Sequence, residues 1–257
     1  MTWVAFDTET TGLEPGSRPV ELAAVAFDDA GVVLDTFSEL MQPDMLVPPG
    51  ATAVHGITDA MLAYSPDTRS VLTRFLAWLP RDGTLIGHNS GYDQNVVTWS
   101  CQRVGLQPPT AAVIDTLPMA RLDRSTRHGL EALVATYGFI VDGPAHRAMP
   151  DADAVRHLFL LLRQQAVPNP RPWSSSWTYS DTLPESMQCL PELVATGQPL
   201  SFAYGSPSGR SSRHTIIPYG WARLSGDRTV MHGLCQRTGE NRSFRVDRVE
   251  RILSRAR

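Results

Sequence analysis

The chain has 257 residues, 42% of them apolar, and a net charge of −3, which suits one large domain or a medium domain beside a small one. No apolar run approaches the roughly 20 residues needed to cross a bilayer, and the opening Met-Thr-Trp-Val-Ala-Phe-Asp lacks the basic region and apolar stretch of a secretory signal. Cys101, Cys189 and Cys235 are too few and too far apart for a disulfide framework or a zinc knuckle, so a reduced, cytoplasmic protein with no membrane partner is expected.

Val4–Asp7 reads as a short strand, followed by a Thr/Gly/Pro-rich turn. Val20–Phe27 and Val32–Phe37 follow as strands joined by a short turn, the pattern of an antiparallel meander. A helix is predicted from Ser65 as N-cap, with Pro66 in the first helical position and Val71, Leu72, Phe75, Leu76 and Leu79 at helical spacing. Thr84–Gly87 reads as a buried strand, and a helix bearing Asp93, Val96 and Val97 comes after it. Val113–Asp115 is a further strand. A helix from about His128 ends at Gly138. The last helix of this half starts near Pro150 and carries Val155, Leu158, Phe159, Leu161 and Leu162.

Composition changes after Gln165. Four prolines fall within residues 167–184, a linker-like mixture. Beyond it lie short β-type runs (Leu200–Tyr204, Thr215–Ile217, Ser243–Val246) separated by glycine turns. The expected organisation is a domain over 1–166, a Pro/Ser-rich linker over 167–197 and a small, mostly β domain over 198–257.

Asp7 and Glu9 close the first strand, and period-two alternation puts both on one face. Paired carboxylates repel, so keeping both ionised calls for a cation, and oxygen-only ligands select Mg²⁺ or Mn²⁺. Alone, Asp-x-Glu is an ordinary polar strand end. Asp93 and Asp151 each begin a helix, where an acid is also ordinary. The conjunction decides: Phe-Asp-Thr-Glu-Thr-Thr-Gly-Leu (6–13), Gly-His-Asn-Ser-Gly-Tyr-Asp (87–93) and His-Arg-Ala-Met-Pro-Asp-Ala (146–152) occur in that order.

These segments resemble the three motifs of the DEDDh exonucleases, the family of bacterial proofreading subunits and ribonuclease T. Val54-His55-Gly56-Ile57-Thr58, Ile114-Asp115-Thr116-Leu117 and His128-Gly129-Leu130 extend the match over residues 2–165. The resemblance implies an α/β, ribonuclease H-like fold, a mixed five-stranded sheet with flanking helices. It implies two divalent metal ions, Mg²⁺ or Mn²⁺, with Asp7 bridging both, Glu9 and Asp151 completing the tighter site and Asp93 holding the second. It makes His146 the general base, which suits an imidazole that titrates near neutrality. Thr10, Leu13, His55 and Asn89 would grip the terminal nucleotide. Asp153, two residues beyond Asp151, should face elsewhere on the helix.

Charge is unevenly spread. Residues 1–170 hold 19 acids and 11 arginines, residues 198–257 hold 4 acids and 11 arginines, and lysine is absent. This suggests an acidic, metal-holding front and a basic back. The arginine-rich part is either a solvated domain from an Arg-rich proteome or an electrostatic footprint for a phosphate backbone. Leu200–Tyr204, Arg213–Pro218 and Arg242–Val249 resemble a WYL domain, a small Sm/SH3-like β module that the family uses as a ligand or nucleic-acid sensor. Its naming Trp-Tyr-Leu triplet is replaced by Thr229-Val230-Met231. Arg213, Arg242, Arg245 and Arg248 are the candidate phosphate contacts.

The expected function is 3′→5′ hydrolysis of single-stranded nucleic acid, DNA first and RNA trimming as the alternative. A polymerase, repair or phage-defence/CRISPR-linked protein would be the partner. The competing class is a sensor protein built on a spent nuclease scaffold.

Overall fold

Residues 1–122, 127–165, 169–179, 182–206, 209–226 and 228–255 are described by a computed structural model of the chain. The boundary expected between 166 and 167 lies outside the described residues.

The first half is built on β1 (Trp3–Thr10), β2 (Pro19–Phe27), β3 (Val33–Leu40), β4 (Thr84–Gly87) and β5 (Ala112–Asp115). The β1–β2–β3 meander is antiparallel, whereas β4 and β5 continue from β1 in parallel. The expected five strands gain a sixth: β6 (Arg171–Pro172), from the Pro-rich segment, pairs with β5, giving the order β3-β2-β1-β4-β5-β6.

Every residue of β2 is buried, because the sheet is covered on both faces. On one face Val4, Phe6, Leu22 and Phe37 pack against α3 (Thr68–Trp78) and α4 (Gly91–Arg103). On the other, Trp3, Ala5, Phe27, Ile86 and Ile114 meet Val155, Leu158 and Phe159 of α7 (Ala148–Leu162). Burying each of these three α7 side chains is worth roughly 1.5–3 kcal/mol, enough to anchor the helix whose first turn carries Asp151. Two short helices, α1 (Pro49–His55) and α2 (Asp59–Leu62), lie in a stretch for which no helix is predicted; at seven and four residues they are too brief to show periodicity. The remaining helices of this half are α5 (Thr116–Ala120) and α6 (Leu130–Tyr137). Helix α3 begins later than its sequence suggests. Its cap is Asp67, which accepts from Ser70 N at 2.8 Å, while Gln42 N donates to Pro66 O and keeps that residue outside the helix.

The second sheet runs β11 (Asn241–Arg245), β10 (Arg228–Cys235), β9 (Ser211–Leu224), β8 (Leu200–Gly205), β12 (Val249–Arg255), and β7 (Trp177–Thr178) pairs with β9. One face packs Phe202, Ile216, Trp221, Met231 and Phe244 against Leu190, Leu193 and Val194 of α8 (Leu190–Thr196).

Segment 167–197 is more than a linker. Besides β6, β7 and α8, it is stitched to α4 turn by turn. Ser174 N donates to Gln94, Ser176 N to Asn95 Oδ1, Trp173 Nε1 to Thr98 and Tyr179 N to Gln102. An extended segment leaves its backbone N–H groups without partners of its own, and α4 supplies the side-chain oxygens that accept from them. The arginine-rich domain is thereby held against α4 through β7 and β9. The β1–β2 turn meets β9 directly: a Cβ on Gly16 would collide with the Trp221 carbonyl, and one on Gly220 would lie 2.8 Å from Gly16 O. Among the described residues, no helix is long and apolar enough to cross a membrane.

Candidate active site

Strand alternation carries the site. Trp3 and Ala5 lie under α7, so Asp7 and Glu9, next on that face, arrive at the first turn of α7 where Asp151 sits. One carboxylate oxygen from each of Asp7, Glu9 and Asp151 falls within 4.8 Å of the others. Thr8 faces the other way, toward α4, and holds Asp93: its N and Oγ1 donate to Asp93 Oδ1 at 3.1 and 2.6 Å. Asp93 is 5% exposed and lies outside the tight trio, yet close enough for its charge to act on Asp7.

Four acids in so small a volume resist ionisation. Burial first, then the charges of Asp93, Asp151, Glu9 and Glu21, push Asp7 well above the usual carboxylate range. Glu9 is pushed up to about 8 by burial and by Asp151, Glu21 and Asp93, with Arg147 opposing. Burial raises Asp93 to about 7 against the pull of its Thr8 hydrogen bonds. Asp151 is raised by burial, with His146 opposing. An oxygen-only set whose charges the protein compensates only in part fits a hard divalent cation.

Glu21 is the acid that sequence reading missed. It stands directly opposite Glu9 in the β1–β2 register and is 3% exposed. Arg147 grips it with two bonds (2.9 and 2.6 Å), and Ala148 N adds a third at 2.9 Å. The pair fastens the start of α7 to β2, and with it the Asp151 side chain. A lone acid inside the apolar run of β2 was the available signal.

His146 precedes Arg147 in an exposed loop with φ +59°, an uncommon conformation for a residue with a side chain, and its N donates to Asp151 Oδ2 at 3.2 Å. Its ring is near enough for its charge to act on both Asp151 and His55. Asp153 pairs with Arg156 and His157, outside the acidic cluster, as its helical position predicts.

A cavity of about 730 Å³ opens beside Glu9. Thr10, Leu13 and His55 line it, and Leu13 is 80% exposed there. The turn carrying Thr10 and Leu13 is braced by Tyr92, whose hydroxyl donates to Gly12 O and meets Thr10 Oγ1 at 2.6 Å. His55 Nδ1 accepts from Ile57 N at 3.0 Å, which places its proton on the buried Nε2 against the Thr10 backbone. Asn89 is not brought to this cavity. It turns the chain between β4 and α4 at φ +60°, with its N bonded to Asp115 Oδ1 at 2.9 Å.

The four candidate arginines lie on the second domain, outside the lining of this cavity. Arg213 is exposed on β9, Arg242 pairs with Glu240 at 3.6 Å, Arg245 is tied to Asp247 at 3.0 and 2.6 Å, and Arg248 is half-buried. Arg242 and Arg245, three apart on β11, point to opposite faces.

Comparison with known proteins fits this geometry. Residues 4–159 match the exonuclease family model that also describes ribonuclease T. The chain belongs to that exonuclease family. Residues 187–253 match the WYL domain model, which takes in α8 together with β8 to β12. The DNA polymerase III PolC-type of Staphylococcus aureus is 34% identical over 167 residues. That match covers 64% of this chain but only 11% of the polymerase. Exonuclease X, solved with 5′ overhanging duplex DNA, is 28% identical with a TM-score of 0.53, covering 64% of this chain and 92% of its own. The E. coli ExoI–single-stranded DNA complex, 19% identical with a TM-score of 0.57, covers 91% of this chain and 54% of its own. It shares the fold across both parts.

Proposed function

We propose that this exonuclease removes nucleotides from the 3′ end of single-stranded DNA with two divalent ions, Mg²⁺ or Mn²⁺. The convergence of Asp7, Glu9 and Asp151 within 4.8 Å, beside the buried Asp93, carries the reading. Asp7, Glu9 and Asp151 would hold one ion, and Asp7 with Asp93 the other. Bound there, the ions supply Lewis-acid stabilisation of the attacking and leaving oxygens of an in-line displacement.

The protein's own part is positioning and proton transfer. His146, exposed beside Asp151, takes the proton of the attacking water and passes it to solvent. The Arg147–Glu21 clamp sets the loop from which it reaches. Leu13 offers an apolar face to the terminal base, and Thr10 and His55 border its sugar. Such a site reads a free end, not a sequence. DNA is favoured by the likeness to PolC-type polymerases and exonuclease X, which also makes a DNA polymerase the partner class to test first.

Single-stranded DNA and RNA oligomers labelled at the 5′ end, incubated with Mg²⁺, should give a ladder shrinking from the 3′ end, faster on DNA. His146→Ala should slow it by roughly 10²- to 10⁴-fold. Equal rates for variant and wild type would remove His146 from the mechanism, and faster digestion of RNA would reassign the substrate.

A further inference from the structure

The cavity beside the acidic site has walls from both domains. Leu13, Val54 and His55 come from the exonuclease half, and Tyr219, Leu234 and Asn241 from the second sheet. Its volume, about 730 Å³, is that of a ligand cleft, and a cleft is where exposed apolar side chains gain most from a partner. Leu13 and Val54 are 80% and 56% exposed, so the first wall offers apolar surface with nothing of the protein upon it.

Charge selects which part of a nucleotide meets the second wall. None of the described residues lining the cavity is an arginine, although the second domain carries 11 of the 23 in the chain. Glu14 and Glu240 border it instead. A phosphate would be repelled there, whereas the flat face of a base would find an aromatic ring and a leucine. The wall is also fixed in place. The Gly16–Gly220 approach seats β9 on the turn that bears Leu13, and the stitched segment 173–179 ties β7, and through it β9, to α4.

We propose that Tyr219 packs on a nucleobase of the bound strand, making the WYL domain a built-in wall of the exonuclease cleft that grips the last or next-to-last nucleotide. This rests on the reading of the site as a nuclease, because the strand that enters the cavity is its substrate. The interaction is uniform binding: it holds ground state and transition state alike, so it sets KM and leaves kcat alone.

The test uses the full chain, a single-stranded DNA decamer and two further decamers, one abasic at the terminal and one at the penultimate 3′ position. Tyr219→Ala should raise KM on the intact decamer about tenfold with kcat unchanged, the scale of one base–aromatic stack. Tyr219→Phe should match wild type. On one of the two abasic substrates the KM values of wild type and Tyr219→Ala should converge, which identifies the base. Equal KM values on the intact decamer, a fall in kcat alone, or a difference that persists on both abasic substrates would overturn the proposal. Should Tyr219→Ala fail to fold, Tyr219→Leu takes its place: it keeps the bulk but not the ring, and a KM equal to that of the wild type on the intact decamer contradicts the packing. A wild-type protein that digests no decamer with any metal would instead sink the nuclease reading itself.

Discussion

Gly16 and Gly220 meet backbone to backbone across the two domains. A Cβ on Gly16, where φ is +88°, would collide with the Trp221 carbonyl, and one on Gly220 would sit 2.8 Å from Gly16 O. Gly16→Ala therefore carries both backbone strain and a clash, together about 2–4 kcal/mol. At the size of this chain that lowers the thermal midpoint by roughly 5–15 °C. Because the same turn carries Leu13, oligonucleotide KM should rise as well. Thermal melts beside digestion kinetics check both, and an unchanged midpoint would show that the domains do not depend on this seam.

The Arg147–Glu21 pair sets a second expectation. Arg147→Met leaves Glu21 buried without its partner and adds an unopposed negative charge opposite Glu9. Loss of one member of a buried pair costs about 3–5 kcal/mol; with Arg147 31% exposed, about 2 is expected here. The double variant Arg147→Met/Glu21→Met should recover most of that stability, since no buried charge is left alone. Denaturant melts of the two variants decide it: additive losses would show that the residues act separately.

Metal and pH should be linked through the acidic cluster. Glu9 and Asp93 are raised to about 8 and about 7, above their values in an unfolded chain. A raised carboxylate contributes stability that is fully present below its unfolded pKa and is lost as pH rises through its folded one. In chelator, the thermal midpoint should therefore fall as pH rises from about 4 to about 8. Added Mn²⁺ should raise the midpoint most at the alkaline end, where the ligands are ionised. A midpoint flat across this window in chelator would contradict the crowding.

Much of this was legible in the sequence, for identifiable reasons. Asp7 and Glu9 were readable because a strand alternates, and the order of the three motifs tied them to Asp93 and Asp151. Glu21 escaped because nothing local connects residue 21 to residue 9; only the β1–β2 register does. The second domain was readable as short β runs, but not its place over the cleft. That depends on the glycine seam and on the side-chain bonds from α4 to segment 173–179. The arginine count pointed to a phosphate surface; the ion pairs of Arg242 with Glu240 and Arg245 with Asp247 could not be read from it. Tyr219 was legible only as one of several aromatics among the C-terminal arginines; its place beside Leu13 depends on the cavity between the two sheets.

Asp7→Asn separates function from stability. It removes the most crowded charge of the cluster, so the chelated protein should melt several degrees higher than wild type at pH 8 while activity disappears. A lower midpoint would mean that the carboxylates are held by contacts other than those described.

Digestion of a 5′-labelled single-stranded DNA in Mg²⁺, in Mn²⁺ and in EDTA, with wild type beside Asp7→Asn, tests the central claim most directly. The account predicts a ladder shortening from the 3′ end in either metal, none in EDTA, and a rate at least about 10³-fold lower in the variant. A ladder that persists in EDTA or in Asp7→Asn would contradict it.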